Sequence, residues 1–169
     1  MREEGDEIMP TAPGKYIGEY TARGVVSETE TEAGTPQKIS LFDGRFDTAY
    51  KVVDFKIWSS AFGTSSNPDC VAKLSKNAVG TTTSGNFMRA DDDNQIAWAA
   101  SAGSTDGGLG FGEGPILDPD NLVVEDLYVY ARTAGTQSMP LNYLIVMEKY
   151  QIDEWKGALA MARDRADGE

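Results

Sequence analysis

The sequence predicts a mainly β chain: an antiparallel β-sandwich, jelly-roll-like, with one C-terminal α-helix. Three observations carry this. Runs of β-branched and aromatic residues with period-two alternation recur, about eight of them, between turn residues. Glycine (18) and proline (7) supply the breaks between runs. Only the last stretch has helical spacing, and no strand–helix–strand alternation occurs, which argues against a doubly wound or α/β-barrel fold. A chain of 169 residues suits one domain with enough interior to stand without disulfides. An immunoglobulin-like sandwich is the rival architecture, but Cys70 is the only cysteine and the paired cysteines of that fold are absent.

Residues 1–14 mix charges with Met9, Pro10, Pro13 and Gly14. They show no period and read as a flexible N-terminal arm. A β-sandwich domain follows over residues 15–152. Residues 16–26 form a strand, with Gly18 and Gly24 marking a bulge or bend. Residues 27–36 read as a loop, the alternating acids of 28–32 forming a solvated edge. Residues 38–42 make a short strand stopped by the turn dipeptide Asp43-Gly44. Residues 49–58 are a strong strand. Strict alternation puts Val53, Phe55 and Ile57 on one face and Val52, Asp54, Lys56 and Trp58 on the other.

Beyond a Ser/Gly/Asn/Pro loop, residues 70–74 make a shorter strand, and residues 86–90 another after a Thr/Gly/Ser loop. An acidic turn at 91–94 leads into a strand over 95–101, with Ile96, Trp98 and Ala100 on one face. Residues 103–115 are a long glycine-dense loop. The clearest alternation lies in residues 122–131 and 141–150. With breaker residues between them, they read as a long hairpin at the centre of a sheet. Residues 153–167 form an amphipathic helix packed on the domain or a neighbour. Asp153 is its N-cap, and Trp155, Ala158, Leu159 and Ala162 share a stripe.

The absence of histidine narrows the chemistry. Ser–His–Asp and Cys–His constellations are impossible, and the commonest metal ligand is missing. The glycine run at 107–112 lacks the lysine and the following helix of a phosphate loop, and Glu113 comes next. Asp54, Glu125, Asp126 and Glu148 could supply a glycosidase-like carboxylate pair. Among 27 acids, however, chance pairs are inevitable. The sequence therefore reads as non-enzymatic and without a cofactor. Calcium is the one ion it suggests, as a structural ligand of the oxygen-rich loops holding Asp91, Asp92 and Asp93, and Asp118 and Asp120. Neither loop follows the EF-hand pattern.

Net charge is −12 with a pI near 4.4, which disfavours direct nucleic-acid binding and anionic membranes. The acidic start lacks the segments of a signal peptide, and the apolar runs at 122–124 and 144–147 are too short to span a bilayer. Synthesis in the cytoplasm is the expectation. Trp58, Trp98, Tyr128 and Tyr130 lie in strands, where such rings serve as a sugar platform or as packing. Tyr128 and Tyr130, on the face shared with Asp126, and Trp155 and Leu159 of the helix, are the candidate interface residues.

Several blocks carry a resemblance: Lys38-Ile39-Ser40-Leu41-Phe42-Asp43-Gly44-Arg45-Phe46, Gln95-Ile96-Ala97-Trp98-Ala99-Ala100-Ser101, residues 121–130, residues 142–150, and Trp155-Lys156-Gly157-Ala158-Leu159. Together, over most of residues 38–166, they resemble small uncharacterised proteins encoded by marine bacteriophages. The resemblance implies a virion structural component of capsid or decoration type, and carries no catalytic residues with it. The expected partners are further copies of the chain, as a homo-oligomer, and other virion proteins, with location in the virion after synthesis in the host cytoplasm. The alternative is a carbohydrate-binding β-sandwich module that takes a surface glycan during host attachment.

Overall fold

A computed structural model of the chain describes residues 14–60, 69–78, 88–101, 114–133 and 139–166, with all side chains in those ranges except 32, 33, 155, 161 and 163–166. The expected arm, but for Gly14, lies outside the described residues, as do residues 103–113 of the glycine-dense loop and the side chain of Trp155. The chain is mainly β. Its strands are β1 (Lys15–Val26), β2 (Gln37–Ser40), β3 (Thr48–Ser59), β4 (Cys70–Ser75), β5 (Gln95–Ser101), β6 (Ile116–Leu117), β7 (Asp126–Thr133) and β8 (Leu141–Gln151). Among the described residues two helices accompany them, α1 (Glu28–Ala33) and α2 (Glu154–Ala166). The strands form two antiparallel sheets, ordered β1-β8-β3 and β2-β7-β4-β5-β6.

One face of each sheet feeds a common interior. Ala22, Phe55, Ile57, Ile145 and Met147 of the first sheet cluster with Ala72, Leu74, Leu127, Val129 and Ala131 of the second. Burying a side chain such as Phe55 or Leu127 contributes about 1.5–3 kcal/mol, so this shared interior decides which face of each strand turns inward. Cys70 lies in the same cluster. It is a buried thiol whose Sγ–H donates to the Ser101 carbonyl, and burial pushes its pKa up.

Two bulges overturn the expected facing of residues. In β3 the pairing with β8 shifts between Val52 and Asp54. Tyr50 and Val52 point inward before the shift, Phe55 and Ile57 after it, and Val53 is left outside. An inserted residue reverses the parity of everything beyond it. In β5 the shift lies opposite Leu74 and Ser75. Ile96 thereby joins the core with Ala97 and Ala99, while Trp98 sits on the opposite face.

The anticipated hairpin of 122–131 with 141–150 does not form. Its halves, β7 and β8, belong to different sheets. A connection as long as 134–140 lets the chain change sheets, and alternation alone does not select a partner. Residues 122–125 precede β7. Val123 instead bridges Tyr50 of β3 with two backbone hydrogen bonds, at 2.7 and 2.8 Å. Residues 88–90 are not extended into a strand.

The loop expected at 27–36 contains α1. Ser27 Oγ accepts from the Glu30 amide at 3.2 Å and the Glu30 carboxylate accepts from the Ser27 amide at 2.7 Å, a reciprocal capping box. Gly34, at φ 66°, closes the helix in the left-handed region where glycine carries no steric penalty. The chain thus has a second helix besides the C-terminal one.

α2 faces the sheets differently from the expected stripe. Ala158, Leu159 and Ala162 are exposed, and Gly157 is buried with Ala160 partly covered. Ala160 packs on a small cluster of Ala49, Val124 and Ile152. Gly157 lies so close to Phe46 that a Cβ would overlap the Phe46 carbonyl oxygen. Close backbone approach, not an apolar stripe, docks this helix.

Candidate interaction surfaces

Among the described residues, the outer face of the three-stranded sheet carries no second sheet, and only Ala160 of α2 reaches the Ala49–Tyr150 end. Across this face run the register rows Val25–Asn142–Trp58, Arg23–Leu144–Lys56 and Glu19–Glu148–Lys51. Among the described residues there are ten exposed large hydrophobic side chains, and six belong to this sheet: Tyr16, Ile17 and Val25 on β1, Val53 and Trp58 on β3, and Tyr20 of β1, which sits at the edge of the inward-facing row with Met147 and Val52. Such a concentration marks a contact surface far better than scattered exposed residues do.

The two edges of this sheet differ. On β3, Val123 pairs with the Tyr50 backbone and the Asn121 side chain satisfies that of Val52, so the edge is partly closed. Among the described residues β1 pairs with β8 alone. It is twelve residues long, contains no proline and takes part in no ion pair among the described residues. An unpaired edge of that kind invites another strand.

The outer face of the five-stranded sheet is closed where the sequence suggested it was open. Tyr130, Lys73 and Trp98 lie side by side in register and are only 1%, 3% and 8% exposed. Tyr130, expected at an interface, is therefore covered by its own chain. Lys73 Nζ stands 5.1 Å from the Tyr130 ring centroid, a cation–π distance. Burial lowers the Lys73 pKa, with the Asp92 charge opposing. Burial pushes the Tyr130 phenol up to about 12. Trp98 Nε1 donates to Gln95 Oε1 at 3.0 Å, and the same oxygen accepts from the Arg89 amide at 3.0 Å. Tyr128 remains half-buried on this face, beside the Lys38–Asp126 ion pair at 2.6 Å. Trp58 and Tyr128 thus stand on different sheets and make no common sugar platform.

The acidic loops are occupied with their own turns. Asp91 holds Arg89 through two hydrogen bonds, which keep its carboxyl below the usual range. Asp92 accepts from the Asn94 amide and from Gln95 Nε2, and Asp93 is exposed. Asp118 Oδ1 accepts from the Asp120 amide at 3.0 Å. Among the described residues no three acidic or cysteine side chains come together to hold a metal. Of the residues expected to hold calcium, Asp91, Asp92 and Asp118 accept hydrogen bonds within their own turns, and Asp93 and Asp120 are exposed. The candidate catalytic acids have local partners: Asp54 is paired to Lys56 and Asp126 to Lys38, and Glu148 accepts from the Tyr150 hydroxyl.

Leu159 is exposed on α2 at 63%. The residues that sequence reasoning missed are Tyr16, Ile17, Tyr20 and Val25. Alternation identifies a strand but does not say that it lies at an edge. No helix among the described residues is long and apolar enough to cross a membrane. No protein-family model, no curated protein and no solved structure matches the chain.

Proposed function

We propose that the chain is a non-enzymatic virion structural protein of a bacteriophage, a jelly-roll sandwich that assembles as a capsid or capsid-decorating subunit. The pairing order carries this reading. A jelly roll is a long antiparallel hairpin of eight strands wrapped on itself. It joins first to eighth, second to seventh and fourth to fifth, and wraps the eighth beside the third and the seventh beside the fourth. Each of those five neighbours occurs here: β1·β8, β2·β7, β4·β5, β8·β3 and β7·β4. The departure is β6, a two-residue strand that joins β5 and not β3.

Jelly rolls also serve lectins and cupins, so the fold by itself does not choose a function. Cupin metal chemistry is poorly served by a chain without histidine, and a lectin platform by rings on separate sheets. The exposed aromatic and aliphatic side chains of the three-stranded sheet, set among charges of both signs, favour lateral contact with other protein. An acidic chain suits an outward or lateral position better than a lining against packaged DNA.

The test is the mass of the purified full-length protein in solution, by light scattering across a range of concentrations and with electron microscopy of the same samples. Closed oligomers or particles are the expected result. A strict monomer at every concentration overturns self-assembly.

A further inference from the structure

We propose that β1 is a self-pairing edge, on which β1 of a second copy adds antiparallel about a two-fold axis through Thr21. This deepens the assembly reading by naming its contact. It rests on that reading only for the premise that copies of the chain meet.

Three observations point to a second copy as the occupant. First, β1 is a long edge in which Tyr16, Ile17, Tyr20 and Val25 are exposed. Residues 18–26 pair with β8 without interruption, the one irregularity lying between Tyr16 and Gly18. Its unpaired backbone groups would be satisfied by any added strand.

Second, its charges are self-complementary. Glu19 and Arg23 are exposed and take part in no ion pair among the described residues. They are two residues either side of Thr21. Antiparallel pairing centred on Thr21 sets Glu19 of each copy opposite Arg23 of the other, on the same face, and sets Ile17 opposite Val25. Opposite charges facing across strands are favourable and like charges are not. A symmetric contact requires this kind of self-complementary patch.

Third, the first sheet holds an electrostatic conflict that the second copy removes. Glu19 lies directly opposite Glu148 of β8. Lys51 faces Glu148 from the far side, which leaves Glu19 without a cation among the described residues. Arg23 of the added strand supplies it, so that the row across both copies reads Lys51, Glu148, Glu19, Arg23. The two three-stranded sheets then become one six-stranded sheet.

Charge reversal tests the pairing. In light scattering, Glu19→Arg and Arg23→Glu each place like charges opposite each other twice per contact and weaken association by about tenfold or more. The double variant restores it. The two single variants mixed together also restore it, because each now complements the other. Since both side chains are exposed, circular dichroism of each variant should match the wild type, and Glu19→Arg, which relieves the contact with Glu148, should be no less stable than wild type when compared as monomers.

Crosslinking tests the register. Thr21→Cys faces itself across the axis, within the span of a disulfide, and oxidises to a covalent dimer. Val25→Cys lies about 27 Å from its copy, at roughly 3.4 Å per residue, and does not. Equal crosslinking at both positions overturns the register. If the wild-type oligomer keeps its mass in both single charge variants, the β1 contact is overturned while the assembly reading stands. If the wild type is a dimer only, abolished by either charge variant, the contact stands and the shell-forming reading falls. A wild type that is monomeric at all concentrations overturns both.

Discussion

Asn121 clasps the backbone of Val52 at both polar groups: its Oδ1 accepts from the Val52 amide at 2.7 Å and its Nδ2 donates to the Val52 carbonyl at 3.2 Å. The same Nδ2 donates to the Asp118 carbonyl at 2.5 Å. Val52 borders the bulge of β3, at an edge where no strand among the described residues takes these groups. A side chain 2% exposed, on the segment leading to β7, therefore supplies what a neighbouring strand would.

Asn121→Ala leaves the buried Val52 amide without an acceptor and removes all three bonds. The expected loss is about 2–4 kcal/mol, since each unsatisfied buried group costs about 1–3 kcal/mol. Urea denaturation should show a lower midpoint at unchanged slope. Asn121→Asp is expected to be worse than alanine at neutral pH, because a carboxylate cannot donate to the two carbonyls it would face. It recovers as the pH falls and the carboxyl gains a proton it can donate. A cost below about 1 kcal/mol for the alanine variant would mean that water replaces the clasp.

The bulge also makes two adjacent valines unequal. Val52 is 1% exposed and Val53 37%. Val52→Ala should cost about 2 kcal/mol, from lost burial and the cavity left behind. Val53→Ala should cost less than about 0.5 kcal/mol, as at other surface positions. Alternation read without the bulge puts Val53 in the core with Phe55 and Ile57, so a reversed order of costs would restore that reading.

This pair also shows where legibility in the sequence stops. β8 keeps an unbroken alternation from Leu141 to Met147, buried and half-buried in turn, and its extent and faces are readable directly. β3 and β5 are readable as strands, but nothing local announces the extra residue that reverses their facing. The capping box of α1 is written in Ser27 and Glu30, yet intervening Thr residues and the acid alternation look like an exposed loop. Strand partners are less legible still, because β7 and β8 have similar patterns and separate only through the long connection between them. Lys73 in an alternating strand reads as solvent-facing. Its burial between Tyr130 and Trp98 depends on contacts across three strands. The same limit hides β1 as a surface, since its exposure follows from sheet order and not from its own residues.

At Gly157 the helix and the docking site pull in opposite directions. Within an isolated helix, alanine is favoured over glycine by about 1 kcal/mol. Here a Cβ overlaps the Phe46 carbonyl oxygen, a backbone atom that cannot swing away. Gly157→Ala is therefore expected to destabilise the protein by about 1–3 kcal/mol, the usual range for overpacking, or to release α2 from the sheets. Leu159→Ala, on the exposed face, should change stability by less than about 0.5 kcal/mol. Thermal melting decides between them, and a Gly157→Ala protein more stable than wild type would show that α2 does not dock against Phe46.

Alkaline pH offers a test of the buried row on the second sheet. The Tyr130 phenol, pushed up to about 12 in the folded chain, ionises near 10 when the chain unfolds. Between those values the unfolded state has lost a proton that the folded state keeps, so stability falls as pH rises from 10 toward 12. At pH 11 the loss from this group is about 1.4 kcal/mol, one pH unit of linkage. Tyr150 is also raised to about 12, by its hydrogen bond to Glu148, but it lies nearer solvent and its share is screened. Lys73 works the other way: its folded pKa is lowered, so neutralising it with rising pH relieves the folded state. Tyr130→Phe separates these contributions. Its stability should decline less than that of wild type between pH 9 and pH 11, by about 1 kcal/mol. In absorbance titrations the phenol missing from the variant should be one that ionises near 12. A missing phenol that ionises near 10 would place Tyr130 in contact with water and open this face of the sheet to a partner.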